Sequence, residues 1–525
     1  MSDPKRPNIL VIVVDQERAW DSLPANFPFE QELPVRAKLK AKSLNFTNFN
    51  ISSSPCGPSR GSLYTGSHFQ THGIYENYRD LSPDLPTLGT HLRRGGYHTA
   101  YKGKWHMNTH VLARMDCIRP DRARKILEHH GGALPNQWNG LDPFGFSEWN
   151  EHGDFWGSHH EGFERDGIFA QETADWLRKR PAELKAEGKP WFLAVNFINP
   201  HDIMWFNASD RQQRTRYHRV PFESFYGVPD DPVYNKRWGC LPRLLHADGK
   251  SPVPPVIANS RRIIDDRYGE MREEEHEVNM DYYLNCLRDV DKHVGFVLDV
   301  LEEQGLQDTM VVFCSDHGEM LGDHNLRQKG PFLYKEHLRT PFMITGPDVQ
   351  LGDCDAACCS IDLVPTVLGL AGITPDPSLP GVDLSPCIRD KQTPIRANPD
   401  ADLDGATLFQ FGQLAGTRGF LMPRGFMQAI ITKRYKYGRC FGREEQSQPK
   451  AWEILRENCD LLLYDRQEDP DELKNLVGDE EGLKTRKELV LKLNDMLNAL
   501  VAKEASGSLV PWKFLHETYD ELNGW

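Results

Sequence analysis

Residue types able to do chemistry are concentrated between Ser52 and Gly66, in the run SSSPCGPSRGSLYTG. Pro55 disfavours helix before it, whereas Pro58 suits a first helical turn, so the run predicts a loop that enters a helix. Cys56 is then a nucleophile candidate at or just before a helix N-terminus, where free N–H groups and the dipole favour an anion. Arg60 adds a permanently charged, planar guanidinium one turn on. We therefore expect anion chemistry here, and we expect the serines to form a loop and not a packed strand.

The pattern Cys-x-Pro-Ser-Arg followed by Leu-x-Thr-Gly resembles the signature of the type I sulfatases, within the alkaline phosphatase superfamily. The resemblance implies that Cys56 is oxidised after translation to formylglycine (3-oxoalanine) by a formylglycine-generating enzyme. The hydrate of that residue would be the nucleophile. An isolated cysteine would ordinarily be a buried structural thiol, but the surrounding pattern favours the catalytic interpretation.

Two apolar, β-branched runs predict buried parallel strands, and each ends in polar residues. The first leads to Asp15 and Gln16, and the second leads to Asp316 and His317. In open α/β sheets, ligands collect at the carboxyl ends of such strands. A strand-end aspartate by itself more often caps a turn or a helix, but the order of these pairs around Cys56 favours a ligand role.

The resemblance implies that these four residues and the oxidised Cys56 hold one divalent cation. Carboxylates prefer hard cations, so we expect calcium, with manganese as the alternative because of the histidine. Asp323 and His324 form a similar pair further along the chain. We prefer Asp316 and His317 because they follow the strand directly.

The tetrapeptide Gly-Lys-Trp-His at 103–106 follows a further strand pattern and is similar to a segment of the same family. Residues two apart in an extended segment share a face, so Lys104 and His106 can point into one site. The resemblance implies that Lys104 binds the sulfate, and that Lys329 and Asn77 complete the substrate-binding set. A surface lysine and a structurally satisfied histidine remain the alternatives.

His201 follows the strand pattern at 190–197 and resembles the family histidine that contacts the leaving-group oxygen. The implied mechanism starts with Arg60, Lys104 and Lys329, which would neutralise the transferred group. His201 would protonate the leaving alcohol, and a covalent sulfo-enzyme hemiacetal would form. Loss of a proton to His106 would then let the hemiacetal expel sulfate.

The resemblance implies hydrolysis of small-molecule sulfate monoesters, as in an arylsulfatase. The rival interpretation is a phosphonate monoester hydrolase or phosphodiesterase with the same site. Gln16 and His317 favour that rival and the choline sulfatase branch, whereas Lys104 and His106 favour a sulfatase with cross-activity on phosphoesters. A non-catalytic anion-binding protein of the same fold is a remote alternative, which the completeness of the residue set disfavours.

Composition restricts the partners. A formal charge of -14 makes a nucleic-acid or anionic-membrane binder an unfavourable interpretation. No run approaches the roughly 18 apolar residues of a membrane span. The 11 cysteines are an odd number, and the N-terminal apolar run is too short for a signal peptide, so we expect reduced thiols and a cytoplasmic location.

The 525 residues exceed one ordinary core, and two domains are expected. The predicted fold is an α/β, alkaline-phosphatase-like large domain over residues 1–395, with a central, mostly parallel sheet between helices. A smaller C-terminal α+β domain with an antiparallel sheet would cover residues 396–525. Its aromatic tail is expected to pack on another surface, such as a second subunit. We expect residues 107–165 and 204–262 to be irregular insertions.

Overall fold

A computed structural model describes residues 6–77, 79–108, 140–149, 160–212, 227–247, 253–412, 415–416, 420–421, 424–442 and 448–505. The predicted aromatic tail contact, at 506–525, and most of the first predicted insertion lie outside the described residues. None of the described helices combines the length and the hydropathy that crossing a membrane requires.

The described strands number 17 in chain order and form two main sheets and two short pairs. They are β1 (Ile9–Asp15), β2 (Leu44–Phe46), β3 (Phe49–Asn50), β4 (Ser53–Ser54), β5 (His98–Gly103), β6 (Glu148–Trp149), β7 (Trp191–Pro200), β8 (Met310–Ser315), β9 (Phe342–Thr345), β10 (Gly352–Cys354), β11 (Cys358–Cys359), β12 (Thr407–Phe411), β13 (Ala415–Gly416), β14 (Phe420–Leu421), β15 (Phe426–Ile431), β16 (Tyr435–Phe441) and β17 (Cys459–Asp465).

The α-helices of the described part follow the same order along the chain. They are Phe29–Glu32, Pro34–Ala41, Cys56–Thr65, Phe69–His72, Leu88–Arg94, Glu161–Ala186, Pro255–Tyr268, Glu273–Glu303, Lys335–Leu338, Leu363–Leu370, Trp452–Asn458, Glu480–Thr485 and Lys487–Glu504.

The large sheet has the strand order β10-β2-β9-β8-β1-β7-β5-β6. Around its centre, β1 pairs in parallel with both β7 and β8, and β5 pairs in parallel with β7. Only β9 runs antiparallel to its neighbours β2 and β8. The predicted α/β class with a mostly parallel central sheet is therefore confirmed.

The uninterrupted apolar sequence of β1 is explained by burial on both faces. Ile9, Val11 and Val13 point into one core, whereas Leu10, Ile12 and Val14 point into the core on the other face. Alternate residues of a strand face opposite sides, so a strand that is covered twice must be apolar throughout. The long helices Glu161–Ala186 and Glu273–Glu303 contribute to the second core, and Leu363–Leu370 contributes to the first.

The C-terminal sheet has the order β17-β16-β15-β12-β4 and is antiparallel except at one edge. The predicted hairpin is confirmed, since β15 pairs with β16 in antiparallel register. The edge strand β4 comes from residues Ser53–Ser54, which pair in parallel with Gln410 and Phe411 of β12. The expectation that these serines form only a loop was wrong, because pairing with a distant strand supplies ladder hydrogen bonds that local propensity does not predict. The division at residue 395 stays a prediction.

The second predicted irregular insertion, at 204–262, was wrong in part. A helix begins at Pro255 and runs to Tyr268. Proline suits the first turn of a helix, and Val256 and Ile257 are buried at 2% and 1% exposure. The prolines before this segment suggested a loop, but burial of this apolar pair stabilises a helix directly after them.

Candidate active site

Four side chains meet where β1 and β8 end and the helix Cys56–Thr65 begins. Asp15, Cys56, Asp316 and His317 each offer one ligand atom, and these atoms all lie within 4.8 Å of one another. All four residues are fully buried. Because β1 and β8 are parallel neighbours, their carboxyl ends deliver both carboxylates to one edge of the sheet, as predicted.

Cys56 is the first residue of its helix, so the predicted place at a helix N-terminus is confirmed. The helix ends at Thr65 and is capped by Gly66, whose φ of 64° is the left-handed conformation that glycine adopts easily. The Ser59 hydroxyl donates to the carbonyl oxygen of Asp316 and ties the first turn to the end of β8.

Arg60 is fully buried, and its guanidinium contacts the two strand-end carboxylates. Its Nε donates to Asp316 Oδ2 at 3.0 Å, and its Nη2 lies 3.4 Å from Asp15 Oδ2. Its Nη1 donates to Lys104 O at 2.9 Å and to Asn196 Oδ1 at 3.1 Å. Four contacts to protein groups therefore hold the Arg60 guanidinium, two of them to the carboxylates. Contact of Arg60 with a substrate anion stays a prediction.

The two predicted anion-binding lysines come from different loops and contact neighbouring groups of the cluster. Lys104 Nζ lies 2.7 Å from Asp15 Oδ2. Lys329 Nζ donates to Cys56 Sγ at 2.9 Å and to Gln16 Oε1 at 2.6 Å. One ammonium group therefore contacts Cys56 directly, and the other contacts the neighbouring Asp15 carboxylate.

These cations change the acidity of the groups around them. Burial alone would raise the pKa of the Asp15 carboxyl, but Lys104 and Arg60 hold it well below its usual range. Burial and Asp15 both raise the pKa of the Cys56 thiol, yet Lys329 and other cationic neighbours outweigh them and lower it. The site therefore favours negative charge at residue 56.

The His317 ring is held with one nitrogen toward the cluster. Its Nδ1 lies 3.0 Å from the Gly318 carbonyl oxygen, so in the neutral ring Nδ1 carries the hydrogen and donates it. Its Nε2 then turns a lone pair toward Cys56 Sγ, 3.1 Å away. Burial lowers the pKa of His317, but Asp316 raises it, and the net direction is upward. With Nδ1 bonded to a carbonyl oxygen and Nε2 facing the cluster, the His317 ring has the orientation that a ligating histidine needs.

His106 and His201 lie within the electrostatic reach of the same charges. Burial, followed by the charge of Lys104, lowers the pKa of both rings well below the usual value. Both histidines are therefore neutral bases at neutral pH. His201 Nδ1 is buried with no hydrogen-bond partner among the described residues.

Asn77 lies against the first turn of the Cys56 helix. Its Oδ1 accepts a hydrogen bond from Gly57 N at 2.9 Å. A Cβ on Gly57 would come within 3.2 Å of the Asn77 Cα, so a larger residue would crowd this contact. The predicted contact with substrate stays a prediction.

The second acidic pair, Asp323 and His324, belongs to another cluster. Asp323 accepts hydrogen bonds from Arg18 Nη2 at 2.6 Å and from Leu244 N at 2.7 Å. The His324 ring stacks on Tyr334 with centroids 3.8 Å apart. The geometry supports the preference for Asp316 and His317.

Both ends of the Gln16 side-chain amide are hydrogen-bonded. Its Nε2 donates to Glu319 Oε2 at 2.5 Å, while its Oε1 accepts from Lys329. Sequence reasoning assigned no role to Glu319 or to Asn196, which accepts from both Arg60 and Tyr64. The available signal for Glu319 was its place in the Asp-His-Gly-Glu turn that carries the predicted ligands.

The donor set fits a divalent cation. Two carboxylates suit a hard ion, and a histidine whose Nε2 lone pair faces them suits the first-row metals as well. Arg60 contacts one oxygen of each carboxylate, Oδ2 of Asp15 and Oδ2 of Asp316. A buried group competent to hold a metal is therefore present, and it consists of Asp15, Cys56, Asp316 and His317.

Comparison with known proteins gives the family. The family model named Sulfatase matches residues 7–373. The choline-sulfatase of Rhizobium meliloti (strain 1021) is 26% identical over 502 residues, which cover 91% of this chain and 83% of that protein. The arylsulfatase of Clostridium perfringens (strain 13 / Type A) is 25% identical over 533 residues, covering 96% and 95%.

A solved structure shows the same fold. The phosphonate monoester hydrolase from Silicibacter pomeroyi superposes with a TM-score of 0.63 at 19% identity, covering 96% of this chain and 97% of that chain. Likeness at such low identity establishes the fold alone, whereas the family model spans most of the sequence. The chain belongs to the sulfatase family of the alkaline phosphatase superfamily and is a hydrolase of that family.

Proposed function

We propose that this protein hydrolyses sulfate monoesters, arylsulfatase-like, with a formylglycine derived from Cys56 as its nucleophile. The observation that carries the proposal is the position of Cys56, buried at a helix N-terminus beside two carboxylates, with the Lys329 ammonium at its sulfur and the Lys104 ammonium on the adjacent Asp15. A structural thiol gains nothing from these neighbours, whereas a residue that attacks an anionic ester needs them.

The cations of the site would neutralise the transferred group. Lys329 contacts residue 56, and Lys104 contacts the adjacent Asp15, so both lysines would contact oxygens of one bound sulfate. Arg60 is assigned a supporting role, because it holds Asp15 and Asp316 in place. Asn77 would orient the first helical turn around the same anion.

Two histidines would handle protons. His201 is buried with a low pKa, so it must acquire a proton before it can deliver one to the leaving alcohol. His106 has a similarly lowered pKa and is suited to accept the proton that residue 56 loses. We assign the general acid role to His201 and the base role to His106.

Asp15, Gln16, residue 56, Asp316 and His317 would hold one divalent cation, which we expect to be calcium, with manganese as the alternative. When bound, this ion would supply charge that lowers the pKa of the nucleophile and withdraws charge from the ester oxygen. The substrate is a small sulfate ester, and maturation requires a formylglycine-generating enzyme as partner. We retain the prediction of a cytoplasmic location.

The first experiment is the mass of the peptide that carries residue 56, from protein made in its native host. Formylglycine there, together with hydrolysis of 4-nitrophenyl sulfate that Cys56→Ala abolishes, is the expected result. An unmodified cysteine in fully active protein would overturn the proposed nucleophile. Cys240→Ala is a suitable control, because Cys240 is also buried but bonds to Asn26 away from the site.

A phosphonate monoester hydrolase is the second candidate, and Gln16 and His317 at the end of β1 and β8 favour it. The same protein should therefore be assayed on an aryl sulfate panel and on aryl phosphonate monoesters. Higher kcat/KM on the sulfates is expected. Cleavage of the phosphonates without turnover of any sulfate would reverse the order of the two candidates.

A further inference from the structure

Glu319 connects two parts of the site although its own side chain faces no ligand atom of the cluster. Its side chain is 2% exposed. Its Oε2 accepts a hydrogen bond from Gln16 Nε2 at 2.5 Å. Its Oε1 accepts from the backbone N–H groups of Leu321 at 3.0 Å and Gln328 at 2.5 Å. One carboxylate therefore joins the end of β1 to the loop that leads to Lys329.

The chemistry of the carboxylate decides how the Gln16 amide is turned. Both Glu319 oxygens accept hydrogen bonds, from Gln16 Nε2 on one side and from two backbone N–H groups on the other, so Glu319 faces the NH₂ end of that amide. The carbonyl end must then point away from Glu319, and there Gln16 Oε1 accepts from Lys329 Nζ at 2.6 Å. The same ammonium lies 2.9 Å from Cys56 Sγ.

The main chain leaves Gln16 little other freedom. Its φ is 72°, in the left-handed region that a glutamine rarely adopts. Its N–H donates to Asp316 Oδ1 at 3.1 Å, and its carbonyl oxygen accepts from the Tyr283 hydroxyl at 3.0 Å. With the backbone held at both ends, the orientation of the side-chain amide depends on its own hydrogen-bond partners.

We propose that Glu319 is a positioning residue: it sets the Gln16 amide with its oxygen toward Lys329, and so holds the Lys329 ammonium beside residue 56. The inference rests on the proposed function only for its kinetic readout. It concerns a residue that contacts neither the nucleophile position nor the carboxylates of the cluster.

The test exchanges the carboxylate of Glu319 and the amide of Gln16 between the two positions. In Glu319→Gln, the remaining oxygen keeps the hydrogen bonds from the N–H groups of Leu321 and Gln328, so the new NH₂ group faces Gln16. The Gln16 amide must then turn its own NH₂ toward the Lys329 ammonium, where two donors meet. In the double variant Q16E/E319Q, a carboxylate at 16 accepts from both the new amide and Lys329, which restores the pattern with the same total charge.

Crystal structures and kinetics of the variants are the readouts. In E319Q, we expect Lys329 Nζ to leave hydrogen-bond distance of residue 16, and kcat/KM to fall by about 10-fold or more, the value of a charge-assisted hydrogen bond. In the double variant, Lys329 should return to hydrogen-bond distance of residue 16, and kcat/KM should exceed that of E319Q. Gln16→Glu alone should also lower activity, because two carboxylates would then face each other.

Glu336 supplies the matched control. It is 1% exposed and lies near Arg18, at 4.0 Å, and not at Gln16. Q16E should not improve Glu336→Gln, although it improves E319Q. The inference is overturned if Lys329 stays in place in E319Q, or if the double variant is no better than E319Q. Failure of the parent protein to hydrolyse any ester would refute the proposed function instead, and the Lys329 position would still decide the role of Glu319.

Discussion

The Lys329 ammonium lies 2.9 Å from the sulfur of Cys56, although 273 residues separate them along the chain. Burial and Asp15 raise the pKa of the Cys56 thiol, and Lys329 is the largest of the charges that lower it. Cys56 comes from a helix N-terminus and Lys329 from the loop beyond β8, so the fold alone brings them together. A cation therefore lies beside the residue that we propose as the nucleophile.

Replacement of Lys329 tests this relationship. In Lys329→Met, we expect kcat/KM for aryl sulfates to fall by about 10- to 100-fold, because one charge-assisted contact to the transferred group is lost. Lys335→Met is the control, since Lys335 bonds to Asp471 at 2.8 Å and lies outside the site. Equal losses in the two variants would refute the assignment.

Arg60 is expected to act through the carboxylates that it holds. Lysine keeps the charge in Arg60→Lys but loses the fork that reaches Asp15 and Asp316. We expect the free energy of unfolding to fall by about 3 kcal/mol or more, and calcium affinity to fall with it, in thermal unfolding and calorimetric titration.

The control variant Arg396→Lys separates the loss of stability expected in Arg60→Lys from its loss of calcium affinity. Arg396 makes a comparable buried pair, with Nη1 and Nη2 at 2.8 and 2.6 Å from the Asp362 carboxylate. We expect it to lower stability and leave calcium affinity unchanged. Unaltered calcium affinity in Arg60→Lys would contradict the role given to Arg60.

The general acid role that we propose for His201 predicts a dependence of kcat/KM on the leaving group. In His201→Gln, esters of poorly acidic alcohols should lose far more kcat/KM than 4-nitrophenyl sulfate, whose leaving group needs no proton. The measurement is kcat/KM across aryl sulfates of graded leaving-group pKa, in the parent and the variant. A uniform loss across the series would assign His201 to binding.

The buried His337, in the helix Lys335–Leu338, predicts a pH dependence of stability. Burial lowers the pKa of His337 to about 3, and its ring contacts Phe332 O and Ser54 Oγ, both at 2.9 Å. In the unfolded chain this pKa is about 6.5, so below that pH only the unfolded state gains the proton. Stability is therefore fully present above pH 6.5 and is lost as the pH falls.

The corresponding variant is His337→Gln, which removes the titrating ring. Between pH 6.5 and 5.5, the parent should lose about 1 kcal/mol more than the variant, seen as a larger drop in Tm. Parallel Tm curves for the two proteins would show that His337 is not neutral when folded.

The sequence by itself determined which residues come to the edge of the sheet. Asp15 and Asp316 follow apolar runs, and such runs become buried parallel strands whose carboxyl ends coincide. The signals are local, because an apolar run and its polar end lie within ten residues of each other. For the same reason, the helix Cys56–Thr65 and its glycine cap at Gly66 could be predicted.

Only the tertiary structure decided how these residues are held. Arg60 meets Asp316 across 256 residues of chain, and Gln16 meets Glu319 across 303. Nothing local to Arg60 indicates that its guanidinium faces carboxylates instead of solvent or substrate. Likewise, the pairing of Ser53–Ser54 with β12 depends on a strand that lies some 350 residues further on. Hydrogen bonds between distant segments depend on the packing of the whole chain, so no local pattern encodes them.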